Sequence, residues 1–157
     1  LANGTLDALI SARTPPCYFE GNTHIGRLFE DFETAEKDYY RRTRLFPIMH
    51  AVGIRRDIHE RYPWLAASVY KAFNQAMLLS RKDLFDTTAL STGLPWLVSE
   101  AQRTSELMGE DFWSYGVKAN LRTLETMLRY SEEQYLTTRR LRIEEMFAPS
   151  TLDEPKT

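Results

Sequence analysis

The chain has 157 residues, of which 43% are hydrophobic and 27% are charged, a composition typical of one soluble domain. Its 20 Lys and Arg residues against 22 Asp and Glu residues give a net charge of -2, which offers no electrostatic reason for a nucleic-acid or acidic-membrane partner. No stretch has the roughly 18 uninterrupted apolar residues of a membrane span, and the first residues lack a signal-peptide profile. The single cysteine, Cys17, excludes an internal disulfide and a cysteine-based zinc site within the chain.

The first half of the chain predicts two strands separated by a helix. Residues 5–10 follow the turn residues Asn3 and Gly4 and have the pattern of a short strand. Residues 29–42 carry many charges around apolar positions at helical spacing, which predicts a helix with a solvated outer face. Residues 46–54 are apolar at both alternating sets of positions, which is typical of a strand buried on both faces.

The second half predicts three helices and an aromatic loop. Pro63 is suited to open a long helix over residues 63–80, whose apolar stripe consists of Leu65, Val69, Ala72, Phe73, Ala76 and Leu79. Two more helices are predicted over residues 95–108, ended by Gly109, and 120–135, capped by Asn120 with Leu121, Leu124 and Leu128 facing inward. The loop between them holds three large rings at 112, 113 and 115, and residues 148–157 form a polar tail.

The two predicted strands are too few to build a sheet. A strand that is buried on both faces needs neighbours on both of its edges, and the chain offers no others. We therefore expect these residues to belong to a longer chain whose earlier part supplies further strands, or to self-associate.

Four segments resemble the second half of type II periplasmic-binding-protein folds: GTLDALI at 4–10, FPIMH at 46–50, RRD at 55–57 and YPW at 62–64. The more specific resemblance is to the 4,5-dihydroxyphthalate decarboxylases, and it is carried by segments spread over nearly the whole chain. The segments are ALISAR at 8–13, DYYR at 38–41, FPIMH at 46–50, YKAF at 70–73, LPWL at 94–97, MGEDFW at 108–113, YG at 115–116 and FAPS at 147–150. The resemblance implies a helix-rich α/β fold in which this chain is the C-terminal half of a two-lobed protein. Residues 1–13 would then end the second lobe and cross over, and residues 46–147 would return to the first lobe.

The same resemblance implies a cytoplasmic lyase of aromatic degradation that acts on a small aromatic carboxylate and needs no cofactor. We expect the protein to bind neither nucleic acid nor membrane, and it could form a homo-oligomer. Two alternatives share the scaffold: a solute-binding protein of an ABC-type transporter, which would be periplasmic, and a regulatory domain that senses aromatic acids.

Two residues after the first predicted strand are candidates for substrate binding. Ligands of open α/β sheets bind outside the carboxyl ends of strands, where Ser11 and Arg13 are expected. The guanidinium of Arg13 can hold a carboxylate through two parallel hydrogen bonds, and Ser11 can add a third. A surface or inter-lobe ion pair of Arg13 is the alternative.

His50 is the candidate catalytic residue, because an imidazole that titrates near neutrality can carry a proton. A lone histidine on a predicted strand is more often a core residue, and it is the resemblance that raises the catalytic interpretation beside this alternative. Trp113 and Tyr115 could stack on an aromatic ligand or could pack the loop onto its own domain. His24 and His59 lie in polar segments that we expect to be exposed, and histidines this scattered predict no metal site.

Overall fold

The computed structural model describes residues 1–21 and 24–153. Contacts divide the chain into two compact units, Leu1–Arg44 and Leu45–Thr157. Within the described residues the regular structure is entirely helical. None of these helices combines the length and the apolar character that a membrane span requires.

The first unit contains α1 (Pro16–Phe19) and α2 (Phe32–Thr43). The Asp31 side chain caps α2 by accepting a hydrogen bond from the Thr34 N–H at 3.0 Å, which satisfies one of the free donors of the first turn. The helix ends at Arg44, which has a left-handed φ of 56°. The helix predicted over residues 29–42 is thus confirmed, and its start is set by the Asp31 cap.

The second unit contains five helices in its described residues. They are α3 (Arg56–Arg61), α4 (Leu65–Leu84), α5 (Leu97–Met108), α6 (Leu121–Glu133) and α7 (Ile143–Met146), followed by a 3-10 turn (Pro149–Thr151). The three predicted helices of this region correspond to α4, α5 and α6, with ends that differ by a few residues. The helix predicted to begin at Pro63 begins at Leu65, because α3 and its cap at Tyr62 occupy the residues just before it.

A small apolar cluster forms the core of the second unit. Its buried members are Val117, Leu124, Leu128 and Ile143, and Leu141, Phe147 and Leu152 pack against them. The inward positions predicted for Leu124 and Leu128 are confirmed, whereas Leu121 is exposed and its prediction is wrong. Leu152 also shows that the first part of the predicted polar tail packs against this cluster. The helix α4 lies against the 3-10 turn and against α5.

Neither predicted strand forms within the described residues. Residues 5–10 are exposed without regular structure, and residues 46–54 run between α2 and α3 with no helix, strand, turn or bend. A single strand has no stability of its own, because its backbone donors and acceptors need an edge to pair with. The described chain supplies no such edge, so the α/β class expected from the sequence is not observed and the described fold is helical.

Candidate functional site

The aromatic loop between α5 and α6 is anchored at its start on helix α4. Gly109 ends α5 with a φ of 97°, a left-handed conformation that glycine adopts without strain. The Arg81 Nη1 of α4 lies 3.0 Å from the Asp111 Oδ1, and the Arg81 guanidinium lies 5.2 Å from the centre of the Phe112 ring. One arginine therefore fixes a carboxylate and an aromatic ring of the loop.

The second half of the loop is shaped by Asn120. Its Nδ2 donates hydrogen bonds to the backbone oxygens of Ser114 at 3.0 Å and Gly116 at 2.9 Å. Asn120 stands at the N-cap of α6 as predicted, but its side chain makes no capping bond to the helix. The predicted capping bond is therefore wrong: the Asn120 side chain is oriented so that its Nδ2 donates to the loop carbonyls, and its oxygen accepts no bond from the helix.

Gly116 allows the loop to approach helix α4 closely. Its φ is 94°, and a Cβ built on it would lie 2.9 Å from the Tyr70 Oη. A side chain would be strained by that φ and would collide with the tyrosine ring. Glycine at this position is thus needed for the contact between the loop and Tyr70.

The two candidate stacking residues of the loop differ in their surroundings. The Trp113 ring makes an edge contact with Phe46, with ring centres 5.9 Å apart and planes at 61°, and the residue is 47% exposed. Tyr115 lines a shallow depression with Tyr70, Gly116 and Val117 that has no room for even a water molecule. Of the two rings, Trp113 offers the more open face.

His50 lies exposed on the extended segment that begins with Phe46. It is four positions after Phe46, so the two Cα atoms are at most about 14 Å apart. Because Phe46 touches Trp113, the contact brings the segment that bears His50 to the aromatic loop. His59, which we expected to be exposed, is half-buried, and its buried Nδ1 has no hydrogen-bond partner in the described structure.

Ser11 and Arg13 lie in the first unit. The Ser11 Oγ accepts a hydrogen bond from the Arg13 N–H at 3.2 Å, and both residues are exposed. Among the described residues the Arg13 guanidinium has no ion pair and no hydrogen bond, so its donors remain open to a ligand.

Among the described residues, the groups with shifted pKa values lie outside these candidates: four carboxyls have a lowered pKa, at Asp31, Asp57, Asp86 and Glu145, and the hydrogen bond to Glu145 raises the pKa of the Arg139 guanidinium. The largest shift is that of Glu145, where hydrogen bonds from the Arg139 guanidinium and then from the Arg142 N–H lower the pKa of the carboxyl to about 2. Within residues 1–21 and 24–153, no three His, Cys, Asp or Glu side chains stand close enough together to hold a metal ion.

Sequence reasoning missed the residues that position the loop. Nothing in the pattern signals the pair of Arg81 and Asp111, which are thirty positions apart. The contact between Tyr70 and Gly116 had a partial signal, because a glycine in a loop can mark a close approach of the backbone.

The described residues thus define a helical chain with an anchored aromatic loop beside an extended segment that bears a histidine. No protein-family model matches the chain. Over 156 residues it is 36% identical to the 4,5-dihydroxyphthalate decarboxylase of Comamonas testosteroni, in a match that covers 99% of this chain and 47% of that protein. The chain therefore spans about half the length of this curated relative, and the match supports the family resemblance found in the sequence.

Proposed function

We propose that this chain is the C-terminal half of a two-lobed protein with a type II periplasmic-binding-protein-like α/β fold, and that the whole protein decarboxylates a hydroxylated aromatic acid such as 4,5-dihydroxyphthalate. The observation that carries this proposal is the 36% identity to a 4,5-dihydroxyphthalate decarboxylase, which extends over 99% of the chain. An identity sustained from end to end supports a shared fold more strongly than a match confined to one motif.

The reaction needs proton transfers and a carboxylate anchor. A proton is added to the ring carbon that bears the leaving carboxylate, the bond from that carbon to the carboxylate breaks, and its electron pair restores the aromatic ring as carbon dioxide leaves. The hydroxyl para to this carbon assists by partial loss of its proton, which pushes electron density into the ring. One proton is consumed and no electron is gained or lost, so the balance calls for no redox partner.

The proposed roles follow from the chemistry of the side chains. Arg13 holds the carboxylate that remains on the ring, Ser11 adds a hydrogen bond to it, and His50 transfers the proton. Trp113 stacks on the ring of the substrate, with Tyr115 beside it as part of the wall. The open guanidinium of Arg13, the exposure of His50 and the half-exposed ring of Trp113 support these roles.

The proposal is tested by measuring the release of carbon dioxide from 4,5-dihydroxyphthalate. The enzyme in this assay is the natural gene product that carries these residues. We expect release without any added cofactor. Tight binding of aromatic acids without consumption, measured by calorimetry, would contradict the reaction and favour the solute-binding alternative.

Two substitutions separate binding from chemistry at the proposed site. Arg13→Lys is expected to weaken substrate binding about tenfold or more, because a lysine replaces a planar two-pronged donor by a point charge. His50→Gln is expected to lower kcat by roughly 100- to 10,000-fold and leave binding nearly unchanged, since an amide keeps a hydrogen bond but carries no proton.

Matched controls are available in the exposed Arg140 and in His24. Arg140→Lys and His24→Gln make the same chemical changes at positions without a proposed role, and we expect both binding and turnover to stay at the parental level. If Arg13→Lys and His50→Gln also retain parental binding and turnover, the roles assigned to Arg13 and His50 are wrong.

A further inference from the structure

The covered side of helix α4 differs from the apolar stripe that the sequence predicts for it. Four members of that stripe are exposed: Ala72, Phe73, Ala76 and Leu79. Half-buried residues recur instead at Tyr70, Asn74, Met77 and Arg81. A spacing of four, three and four positions places side chains on one side of a helix. This covered side contains both residues through which α4 contacts the aromatic loop.

The two contacts between α4 and the loop are three turns apart. Tyr70 and Arg81 are eleven positions apart, which separates them by roughly 16 Å along the helix axis and by only about 20° around it. Arg81 binds Asp111 at the start of the loop, and Gly116 lies against Tyr70 near its end. The loop therefore runs along α4 in the opposite direction. Two well separated contacts set its orientation as well as its distance from the helix.

Trp113 lies between residues that are held on both sides. Before it, Asp111 and Phe112 both contact the guanidinium of Arg81. After it, the backbone oxygen of Ser114 accepts a hydrogen bond from the side-chain amide at the N-cap of α6. Because each peptide unit is planar, holding both neighbours leaves little freedom for the direction in which the Trp113 side chain leaves the backbone.

The covered position of Arg81 suits it to hold the loop in place. Its side chain is 22% exposed, against 61% for that of Asp111. The planar guanidinium donates to the carboxylate and lies against the Phe112 ring at the same time, which the point charge of a lysine does not do. An ion pair with one exposed partner contributes little to the stability of a whole fold. The main consequence of this pair is therefore where it holds the loop.

We infer that Arg81 is a positioning residue for the ring of Trp113, which it orients through Asp111 and Phe112. The inference rests on the stacking role proposed for Trp113 and adds to that site a residue that does not touch the substrate. Asn120 holds the loop as well, but it stands at the start of α6, so its loss would also disturb that helix. Arg81 therefore offers the cleaner test.

Steady-state kinetics of the natural gene product with 4,5-dihydroxyphthalate test the role of Arg81. Arg81→Met removes the ion pair and keeps a side chain of similar length. Because a stacked ring binds the substrate and the transition state alike, we expect KM to rise about three- to tenfold while kcat stays within about twofold. Arg81→Lys keeps an ion pair with Asp111 and should hold KM within about twofold of the parental value. An unchanged KM in Arg81→Met would overturn the inference.

Arg129 provides a matched control, because it makes the same two kinds of contact within α6. Its Nε lies 3.6 Å from the Glu133 Oε1, and its guanidinium lies 5.0 Å from the centre of the Tyr130 ring. Arg129→Met makes the same chemical change away from the loop, and KM and kcat should stay parental. A rise in KM of equal size in Arg129→Met would mean that the effect of Arg81 is not specific to the loop, which contradicts the inference.

A double-mutant cycle with Trp113 separates positioning from a general loss of stability. Trp113→Ala should itself raise KM, because the stacking ring is lost. In that background Arg81→Met should change KM by less than about twofold, since the ring that it positions is gone. If the two substitutions instead multiply their separate effects on KM, Arg81 acts by another route and the inference is wrong.

Fluorine NMR reads the position of Trp113 without any turnover. The protein is labelled with fluorotryptophan, and the resonance that is missing from Trp113→Phe belongs to Trp113. In the unliganded protein this resonance should shift by more than its line width in Arg81→Met and stay in place in Arg129→Met. If Arg81→Met does not fold, Asp111→Ala removes the same pair through its exposed partner and takes its place.

The resonance also distinguishes failure of the inference from failure of the proposed reaction. A Trp113 resonance that stays in place when the pair is removed would overturn the inference, whatever the activity. A shifted resonance in a protein whose parent releases no carbon dioxide would overturn the reaction alone and leave Arg81 as the residue that positions Trp113.

Discussion

Two apolar regions of the second unit reach opposite states. The C-terminal cluster of Val117, Leu124, Leu128 and Ile143 is buried, whereas the segment of residues 46–54 remains largely exposed although most of its residues are apolar. Hydrophobicity alone therefore does not decide which residues of this chain leave water.

The difference lies in where each region finds its backbone partners. Helix α6 satisfies its hydrogen bonds within its own sequence, and the apolar stripe it presents meets residues that follow closely in the chain. Residues 46–54 can satisfy theirs only with another strand, which the described residues lack. Local hydrogen bonding lets the cluster assemble here, while the extended segment depends on distant partners.

Removing a buried leucine from the cluster is the largest expected effect on stability. Leu128 is 4% exposed, and Leu128→Ala should lower the free energy of unfolding by about 2–5 kcal/mol, because it removes apolar contacts and leaves a cavity. Urea unfolding of the parent and the variant measures this loss.

The neighbouring Leu136 is a matched control for this substitution. Its side chain is exposed, so Leu136→Ala should change the free energy of unfolding by less than about 0.5 kcal/mol. Equal effects of the two substitutions would mean that the cluster is not the stabilising core and that the contrast with residues 46–54 fails.

Gly116→Ala tests whether the aromatic loop belongs with the packed region. The φ of 94° strains any L residue, and the new Cβ pushes on the Tyr70 ring, so we expect a loss of about 1–3 kcal/mol in the free energy of unfolding. Gly93→Ala is the control, because Gly93 has no such φ and a Cβ there meets nothing within 4 Å. Thermal unfolding of both variants gives the comparison, and a loss of the same size in both would show that the loop is not packed as described.

The helices could be predicted from the sequence because their signals are local. The charge pattern before Thr43 and the leucines at 124 and 128 recur at the helical period, and Gly109 marks an end. The strands predicted at residues 5–10 and 46–54 do not form among the described residues, because a strand needs a neighbour to pair with. The short helices α3 and α7 were not predicted, because one or two turns contain too few apolar residues at helical spacing to form a recognisable pattern.

The candidate site was predicted as a set of residue types and not as an arrangement. Trp113 and His50 could be selected for their chemistry, but the contact between Trp113 and Phe46 joins parts of the chain that are distant in sequence. The anchor formed by Arg81 and Asp111 has the same character. A spacing pattern carries no information on such pairs, so only the structure shows that the aromatic loop contacts α4 through Arg81.

A bidentate ion pair holds the segment that enters α7. The Arg139 Nη1 and Nη2 lie 3.0 Å and 2.7 Å from the two carboxylate oxygens of Glu145, and the Arg142 N–H donates to the same carboxylate at 2.8 Å. Ile143, which these contacts flank, is a buried member of the cluster. The cluster is therefore coupled to the charge of one carboxylate.

Lowering the pH should weaken the cluster through Glu145, the smallest of the expected effects. Hydrogen bonds from Arg139 and then from Arg142 lower the pKa of Glu145 from its usual 4.5 to about 2 in the folded chain. Because the pKa of this carboxyl is lower in the folded chain than in the unfolded chain, its ionised form stabilises the folded state at pH values above about 4.5. This stabilisation is lost as the pH falls from about 4.5 to about 2. The difference in urea midpoint between the parent and Glu145→Gln should therefore be largest near neutral pH and vanish towards pH 2. Glu144→Gln is the control, because it removes a neighbouring charge without breaking these contacts and should show no such convergence. If the difference for Glu145→Gln stays constant with pH, the ion pair contributes nothing to the stability of the cluster.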